Sequence, residues 1–269
     1  MITNGYHYNS FTMSLQIKYS KEIAKELGKV AVYLPGELIE VGDIITFPNG
    51  KGGIFSKEAP LGVFTKISSL NNLNVEYSTQ SKPEAKHSYK FSSESSVSRS
   101  SSINSEVGLS SNALPNADIE VVLQFTSEGS IYFHALDCYK TQINDIASLE
   151  NEIISKSQVL IWENTYLVTS VTYASKALIM QSRSKNSEIT LSGNVNGIKT
   201  SGANIGTDAE FNIKSQNGDF FIKDWSNNVS IFMELMKFDK QIFQAINRNL
   251  NPKQIQGRLT PVDINSLLI

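Results

Sequence analysis

The sequence predicts an α+β fold: a mixed or antiparallel twisted sheet with two long amphipathic β-hairpins and a few short helices. Two observations favour it. Apolar and polar side chains alternate over unusually long stretches, which is typical of β-strands with one apolar and one solvated face. Strand-like and helix-like segments also occur in runs and not in βαβ alternation, which favours a mixed or antiparallel sheet.

The alternation is strictest between Tyr89 and Leu109. In that stretch every clearly apolar residue has an odd number, and every even position is Lys, Ser, Glu, Asn or Gly. The rule returns after the break at 110–118, which predicts one hairpin over Tyr89–Ala135. Its apolar face is predicted to comprise Tyr89, Phe91, Val97, Ile103, Val107, Leu109, Ile119, Val121, Leu123 and Phe125.

A second hairpin with the same odd-numbered rule is predicted over Ser187–Ser215, with its turn at Asn196–Gly202. Two explanations fit such a pattern. An antiparallel sheet in water alternates when one face is solvated. Strands that insert into a membrane alternate when one face meets lipid. Periodicity alone does not separate them. The apolar face of this hairpin is predicted to comprise Ile189, Leu191, Val195, Ala203, Ile205, Ala209, Phe211 and Ile213.

The other elements follow from local signals. A helix is predicted over Ser20–Leu27, since Ser20 is a suitable N-cap and Gly28 a natural stop. Segment 75–88 is interpreted as loop and segment 136–155 as helix. Turns or strands are predicted at Val30–Leu34, Leu38–Phe47 (bent at Gly42-Asp43), Pro48–Gly53 (turn), Pro60–Asn74 (strand, then loop), Leu160–Val171, Tyr173–Ser182, Asp219–Ile222 and Ser230–Phe238, and a last helix at Asp239–Leu250.

Length, charge and cysteine content restrict the domain organisation and the partners that the sequence allows. We predict a loose extension at 1–13, a single α+β domain at 14–252 and a C-terminal tail at 253–269. The net charge of −2 gives no reason to expect a nucleic acid partner. The single cysteine, Cys138, excludes an internal disulfide and indicates either a reducing compartment or indifference to oxidation. The sequence contains no apolar run long enough to predict a transmembrane helix.

The sequence contains no set of residues whose types and spacing indicate a catalytic site. The three histidines, His7, His87 and His134, are not at metal-ligand spacing. His134 and Cys138 would share a face on a helix, but His134 is predicted to end a strand, and no nucleophile signature surrounds the pair. We therefore expect no enzyme activity, no metal and no cofactor.

From Tyr166 onward the order of features resembles a gasdermin pore-forming domain. YLVTSVTYASKALIMQSRS (Tyr166–Ser184) is similar to the strand that enters that family's second membrane hairpin, although Ser170 stands where the family often has Glu. SIFMELMKF (Ser230–Phe238) is similar to the strand that closes the family's sheet. By the same order, Tyr89–Phe125 takes the place of the first membrane hairpin and Ser20–Leu27 that of the first basic helix.

This resemblance implies an autoinhibited pore-forming effector of the bacterial type, which oligomerises and inserts both hairpins into a membrane. Its partners would be membrane lipid, further copies of itself and an activating protease, and it would be cytoplasmic before activation and membrane-associated afterwards. Animal members carry a large repressor domain, for which this chain has no room, whereas bacterial members are held off by a short tail that a protease removes. Residues 253–269 are the candidate tail, with Arg258-Leu259 as the candidate cut.

The alternative is a soluble β-rich binding or adaptor protein with no membrane activity. In that case the odd-numbered residues of both hairpins are expected to be buried against Ile143, Ile146 and Leu149, on the predicted helix.

Overall fold

The computed structural model describes residues 10–33, 38–47, 64–83, 88–93, 97–103, 118–155, 165–194, 198–199, 204–205, 211–238 and 259–267. These residues form mostly antiparallel strands together with two α-helices, which confirms the α+β prediction. None of the helices in these ranges is both long and apolar enough to cross a membrane.

Helix α1 spans Ser10–Leu27 and helix α2 spans Ile146–Ser155, and a 3₁₀ helix at Ile264–Leu267 follows the last strand. The strands are β1 (Val30–Ala31), β2 (Asp43–Thr46), β3 (Thr65–Ser69), β4 (Thr79–Pro83), β5 (Ser88–Ser92), β6 (Val97–Ile103), β7 (Asp118–Phe125), β8 (Ile131–Leu136), β9 (Tyr139–Ile143), β10 (Tyr166–Ser182), β11 (Ser187–Asn194), β12 (Ile198–Lys199), β13 (Asn204–Ile205), β14 (Phe211–Asn217), β15 (Phe220–Phe238) and β16 (Leu259–Pro261).

The chain forms two compact units. The first unit comprises Met1–His87, Cys138–Lys176 and Trp225–Ile269, and the second comprises Ser88–Asp137 and Ala177–Asp224. Two of the four boundaries between them, after Lys176 and after Asp224, fall inside β10 and β15. The prediction of a single domain over 14–252 stays a prediction.

The sheet of the first unit is arranged around β10. Its strand order is β1-β15-β10-β2-β3, while β9 also pairs with β10, β4 pairs with β9 and β16 pairs with β15. The registers of β15 with β1 and β16, of β10 with β2 and β9, of β2 with β3 and of β4 with β9 are antiparallel. Aliphatic side chains from the strands and from both helices form one core, which includes Ile44, Leu149, Leu167 and Met233.

Helix α1 begins well before the predicted start. It starts at Ser10, so the last four residues of the predicted loose extension are helical. Ser20 is not an N-cap but a fully buried residue in the middle of the helix. The helix follows from the buried residues Leu15, Tyr19 and Ile23, which recur every four positions on one face. Gly28 ends it as predicted, at a φ of 61° and with its N–H donating to Ala24 O at 3.0 Å.

The predicted helix over 136–155 is wrong in its first half. Tyr139–Ile143 is strand β9, which pairs with β10 on one side and β4 on the other. Helix α2 starts only at Ile146, where Asp145 Oδ1 accepts the Ser148 N–H at 2.9 Å as an N-cap. The error arose because a strand with alternating Tyr, Thr and Ile can also be read as one stripe of a helix.

Strand β4 lies inside segment 75–88, for which the sequence predicts a loop. It pairs with β9, and the Ser81 and Thr141 hydroxyls lie 2.9 Å apart across the two strands. The described side chains of β4 are mostly exposed, so no apolar alternation marked the strand. The predicted breaks within β10 and β15 are also wrong, since each is one long strand. The predicted turn at Pro48–Gly53 and helix at Asp239–Leu250 lie outside the described residues.

The predicted bend at Gly42-Asp43 exists and has a steric cause. Gly42 has a φ of 92°, and a Cβ at this position would overlap the Tyr77 ring. The Tyr77 hydroxyl donates to Val41 O at 2.9 Å. The buried Asp43 carboxylate accepts the Glu40 N–H at 2.9 Å and lies 2.8 Å from Lys66 Nζ. The chain therefore turns at this glycine before it enters β2.

An ion-pair network joins β9 and β15 to Lys29, which lies between α1 and β1. Glu234 Oε1 lies 2.7 Å from Lys140 Nζ and 3.4 Å from Lys29 Nζ. Burial of Glu234 raises the pKa of its carboxyl, but the Lys140 hydrogen bond and the charges of Lys140 and Lys29 outweigh that effect. The net result holds the pKa of Glu234 below its ordinary value of 4.5. Since the folded pKa is depressed, the stabilisation is present above the unfolded pKa and disappears as the pH falls.

We expect Glu234→Gln to lower the free energy of unfolding at pH 7 by about 0.5–1 kcal/mol, because the side chain is half-exposed and solvent screens the pair. Urea denaturation at a series of pH values measures this difference, which should shrink between about pH 5 and pH 3. Glu76→Gln, at an exposed position of the same unit, serves as the control. A difference from the parent protein that stays constant down to pH 3 would contradict the assignment.

Candidate functional site

The first predicted hairpin is present as two consecutive pairs of strands in the second unit. Strand β5 pairs with β8, with Tyr89 opposite Ala135, and β6 pairs with β7, with Val97 opposite Phe125. The register shifts by two residues between the two parts. Ser93 lies at this joint: its N–H donates to Ile131 O, and its hydroxyl accepts the Ile131 N–H, both at 3.0 Å.

The second predicted hairpin is formed by β11 and β14, which pair from Glu188 opposite Asn217 to Gly193 opposite Phe211. Further along, Ile198 pairs with Ile205 and Lys199 with Asn204. The predicted turn at Asn196–Gly202 is therefore too wide, since two of its residues belong to a strand. A β-bulge between Thr190 and Leu191 shifts the register, so that Ser215 lies opposite Thr190 and Ile213 opposite Leu191.

The two hairpins join directly, which sequence reasoning missed. Strand β7 pairs with β11 over eight residues, from Ser187 opposite Phe125 to Asn194 opposite Asp118. The result is a four-stranded antiparallel sheet in the order β14-β11-β7-β6, which we call the hairpin sheet. No local signal could have shown this pairing, because the two hairpins lie far apart in the sequence.

One face of the hairpin sheet is polar. Directly opposite residues in neighbouring strands share a face, and one such row runs from Ser98 through Gln124 and Glu188 to Asn217. Ser98 Oγ donates to Gln124 Oε1 at 3.3 Å, and Gln124 Nε2 donates to Glu188 Oε2 at 3.0 Å. This face carries the even-numbered residues of β6, β7 and β11, which are polar except for Val122.

The other face is apolar and covered. Val121, Leu123, Phe125, Ile189 and Leu191 are each at most 3% exposed. They pack in one cluster with side chains from β8, from the end of β10 and from the start of β15. The covering residues include Tyr132, Leu136, Met180 and Phe220, and the Phe125 and Phe220 rings meet edge to face with their centroids 5.1 Å apart.

The remaining predicted face residues are placed as follows. Tyr89 and Phe91 are buried on β5, Val97 is half-buried against the apolar cluster, and Ile213 on β14 is 47% exposed. The lipid-facing role assigned to the whole set stays a prediction. Ile103, Ile119, Ile205 and Phe211 lie in strands β6, β7, β13 and β14, while Val107, Leu109, Val195, Ala203 and Ala209 lie outside the described residues.

The partners expected by the alternative hypothesis are wrong. Ile143 and Leu149 belong to the core of the first unit, and Ile146 packs against that core. The central odd-numbered residues Val121, Leu123, Phe125, Ile189 and Leu191 are buried, but they pack on strands of the second unit. The burial that this hypothesis requires is present, whereas the surface that provides it differs from the one predicted.

The residues considered for catalysis do not form a common helix face. His134 lies within strand β8, and Cys138 follows the turn residue Asp137, which has a φ of 49°. Both side chains are buried. In the part of the chain that the structure describes, no group of three or more His, Cys, Asp or Glu side chains could hold a metal ion.

The described part of the C-terminal tail, residues 259–267, is packed into the first unit. Strand β16 pairs with the end of β15, placing Leu259 opposite Phe238, and the Val262 N–H donates to Leu235 O at 3.0 Å. Leu259 and Leu267 are buried in the core. The Leu259 N–H donates to Glu150 Oε1 of α2 at 2.9 Å. Arg258 lies outside the described residues, so the predicted cut stays a prediction, but its Leu259 side is held in a strand.

A protease needs an accessible extended segment, so we expect slow trypsin cleavage at Arg258-Leu259 in the folded protein. Glu150→Ala removes the acceptor of the Leu259 N–H. It should accelerate this cut about tenfold, because loss of one charge-assisted hydrogen bond lowers the free energy needed to release the strand by about that factor. Mass spectrometry of the fragment that begins at Leu259 measures the rate. Asn151→Ala, at the exposed next position, is the matched control. Equal rates for both variants would show that the contact does not hold the tail.

Comparison with known proteins gives little further identification. No protein family and no curated protein matches the sequence. Among solved structures, the chain is similar to one described as the cryo-EM structure of the gasdermin A3 membrane pore, with 8% identity and a TM-score of 0.31. The match covers 92% of this chain and 94% of that chain. With identity and TM-score this low, the similarity carries no argument about function.

Proposed function

We propose that the protein is an autoinhibited pore-forming effector, in which the hairpin sheet leaves its covering strands and enters a membrane as part of a ring of copies. One observation supports this most: two separate hairpins form a single sheet with a polar face and an apolar face. Lipid would replace the protein that now covers the apolar face, and the polar rows would line a water-filled lumen.

The edges of the hairpin sheet are suited to assembly. Among the described residues, β6 pairs with β7 alone and β14 pairs with β11 alone. Free backbone groups at such edges are costly in hydrocarbon, where water cannot satisfy them. Pairing β14 of one copy with β6 of the next would satisfy both edges, and closure of the ring would leave none.

Covering the apolar face keeps the sheet folded in water. Each fully buried side chain of this size contributes about 1.5–3 kcal/mol, so the five central residues together contribute on the order of 10 kcal/mol. Opening in water alone is therefore rare. A bilayer offers an apolar surface of comparable affinity, so membrane contact would remove most of that cost.

The described strands are too short to cross a bilayer unaided. From Ile119 to Phe125 the apolar ladder of β7 is roughly 20 Å long at about 3.3 Å per residue. The apolar band of membrane-inserted strands is about 25 Å tall, and their tilt shortens the ladder further. The pore would need longer strands toward the hairpin ends, where Val107, Leu109, Val195, Ala203 and Ala209 provide the predicted odd-numbered apolar residues.

The C-terminal tail would act as the inhibitor. Its buried leucines and its pairing with β15 attach it to the first unit, so its loss after cleavage by an activating protease would uncover one edge of β15 and part of that core. In this account the protein is cytoplasmic before activation and membrane-associated afterwards, with lipid and further copies of itself as partners. No catalytic role and no nucleic acid partner are proposed.

The alternative, a soluble β-rich binding or adaptor protein, is favoured by the near-complete burial of Val121, Leu123 and Phe125 on β7 and of Ile189 and Leu191 on β11. A protein of this kind would remain a monomer or small oligomer and would never partition into vesicles, whether its tail is cut or intact.

Dye release from anionic vesicles at micromolar protein tests the proposal. A protease site introduced between Lys253 and Arg258 gives a cut and an uncut form of the same full chain, and a chain that ends at Pro252 gives a third form. We expect leakage from the cut or shortened form and little from the uncut form. No leakage from any of the three would contradict the proposal and favour the soluble alternative.

A matched pair of lysine variants on β14 tests which face meets lipid. Ile213 and Ser215 are both exposed, but Ile213 lies in the apolar row of Leu191 and Ser215 in the polar row of Thr190. Ile213→Lys should reduce leakage at least tenfold, since a lysine facing lipid costs about 2–4 kcal/mol at the midplane. Ser215→Lys should leak like the parent protein. Equal effects of the two variants would show that the apolar face of the hairpin sheet does not meet lipid.

A further inference from the structure

Three turns of the second unit meet at one cluster of serines. These turns are residues 127–130 between β7 and β8, residues 183–186 between β10 and β11, and residues 218–219 between β14 and β15. The cluster consists of Ser182, Ser184 and Ser187. Ser184 Oγ and Ser187 Oγ lie 2.8 Å apart, and Ser182 Oγ lies 3.1 Å from Ser187 Oγ and within hydrogen-bond distance of Ser184 O.

The cluster holds the second hairpin at both of its ends. Ser187 is the first residue of β11, and its hydroxyl donates to Ser184 O at 2.9 Å. On the β14 side, the Asp219 N–H donates to Ser184 Oγ at 3.1 Å, and the Arg183 N–H donates to Asp219 O at 2.8 Å. The start of β11 and the turn after β14 are thus fastened to the same short segment.

The first hairpin is fastened at the same place. The Gly129 N–H donates to Ser182 O at 2.6 Å, and the Ser182 N–H donates to Ser130 O at 3.0 Å. Gln181 Nε2 donates to Gly129 O at 3.2 Å. Both hairpins therefore leave their covering strands at a single polar junction, which lies between the hairpin sheet and the strands that cover its apolar face.

Close packing makes this junction sensitive to small changes. Ser182 and Ser187 are fully or almost fully buried, so their hydroxyls satisfy one another in place of water. Gly218 has a φ of 102°, and a Cβ there would lie 2.5 Å from Ser187 Oγ. Only glycine fits at this position without displacing the cluster.

We propose that Ser182, Ser184 and Ser187, together with Gly218, form a latch that sets how readily the hairpin sheet separates from its covering strands. Its purpose rests on the proposed pore-forming function, but its action is a local opening that occurs in water without any membrane. Loss of one hydroxyl leaves a buried partner unsatisfied at the base of both hairpins. The free energy of local opening of the hairpin sheet is then lower than in the parent protein, and this opening does not require global unfolding.

Hydrogen exchange of the full chain in water, followed by mass spectrometry, tests the latch. We expect Ser187→Ala and Gly218→Ala to accelerate exchange about tenfold in β7, β11 and β14, and to leave α2 of the first unit unchanged. Ser184→Ala, at a half-exposed position, is the milder variant in case either of the others fails to fold. Ser98→Ala, which removes an exposed hydroxyl on the same hairpin sheet, is the matched control and should change little.

Two results would overturn the latch: exchange that rises equally in both units, which indicates global destabilisation, and exchange in the hairpin strands that matches the Ser98→Ala control. Vesicle leakage plays no part in this readout. A latch variant that opens in water while every form of the protein leaves vesicles intact would support the latch and overturn the pore-forming function.

Discussion

The structure depends on one requirement: the apolar face of the hairpin sheet must be covered. In the folded protein the cover consists of β8 and the adjoining parts of β10 and β15, with Phe220 against Phe125. The same requirement explains why the second unit is built from two distant stretches of sequence, since neither hairpin can bury its odd-numbered face alone. In the proposed function, lipid would replace this protein cover when the hairpin sheet enters a membrane.

The period-two pattern predicted both hairpins, and the pairing of Tyr89 with Ala135 confirms the extent of the first. Local patterns failed where a strand is chosen by its partners. Strand β9 shows this, because its helical appearance is overridden by pairing with β4 and β10. The exposed β4 carries no apolar signal at all. The direct pairing of β7 with β11 joins residues that are remote in sequence, and such long-range choices leave no local pattern.

Only part of the candidate site could be predicted, because a local pattern shows which face of a strand is apolar but not what covers it. The burial of Leu123 on β7 and of Ile189 on β11 follows from alternation, but the residues that cover them, such as Tyr132 and Met180, lie at even positions of other strands. The bulge at Thr190 was invisible as well, although it decides that Ser215 shares the polar rows. The serine junction was missed because serine is common in this chain, and only the fold shows which three hydroxyls meet.

An environment-sensitive dye at position 213 or 215 tests most directly whether the covered face exchanges protein for lipid. Each position is replaced in turn by cysteine in a Cys138→Ala background, and both are exposed in the folded protein. After the tail is cut and the protein is bound to vesicles, the account predicts that a lipid-soluble quencher reaches the dye at 213 and that aqueous iodide reaches the dye at 215. Two dyes that both remain in water, or that respond alike, would contradict it.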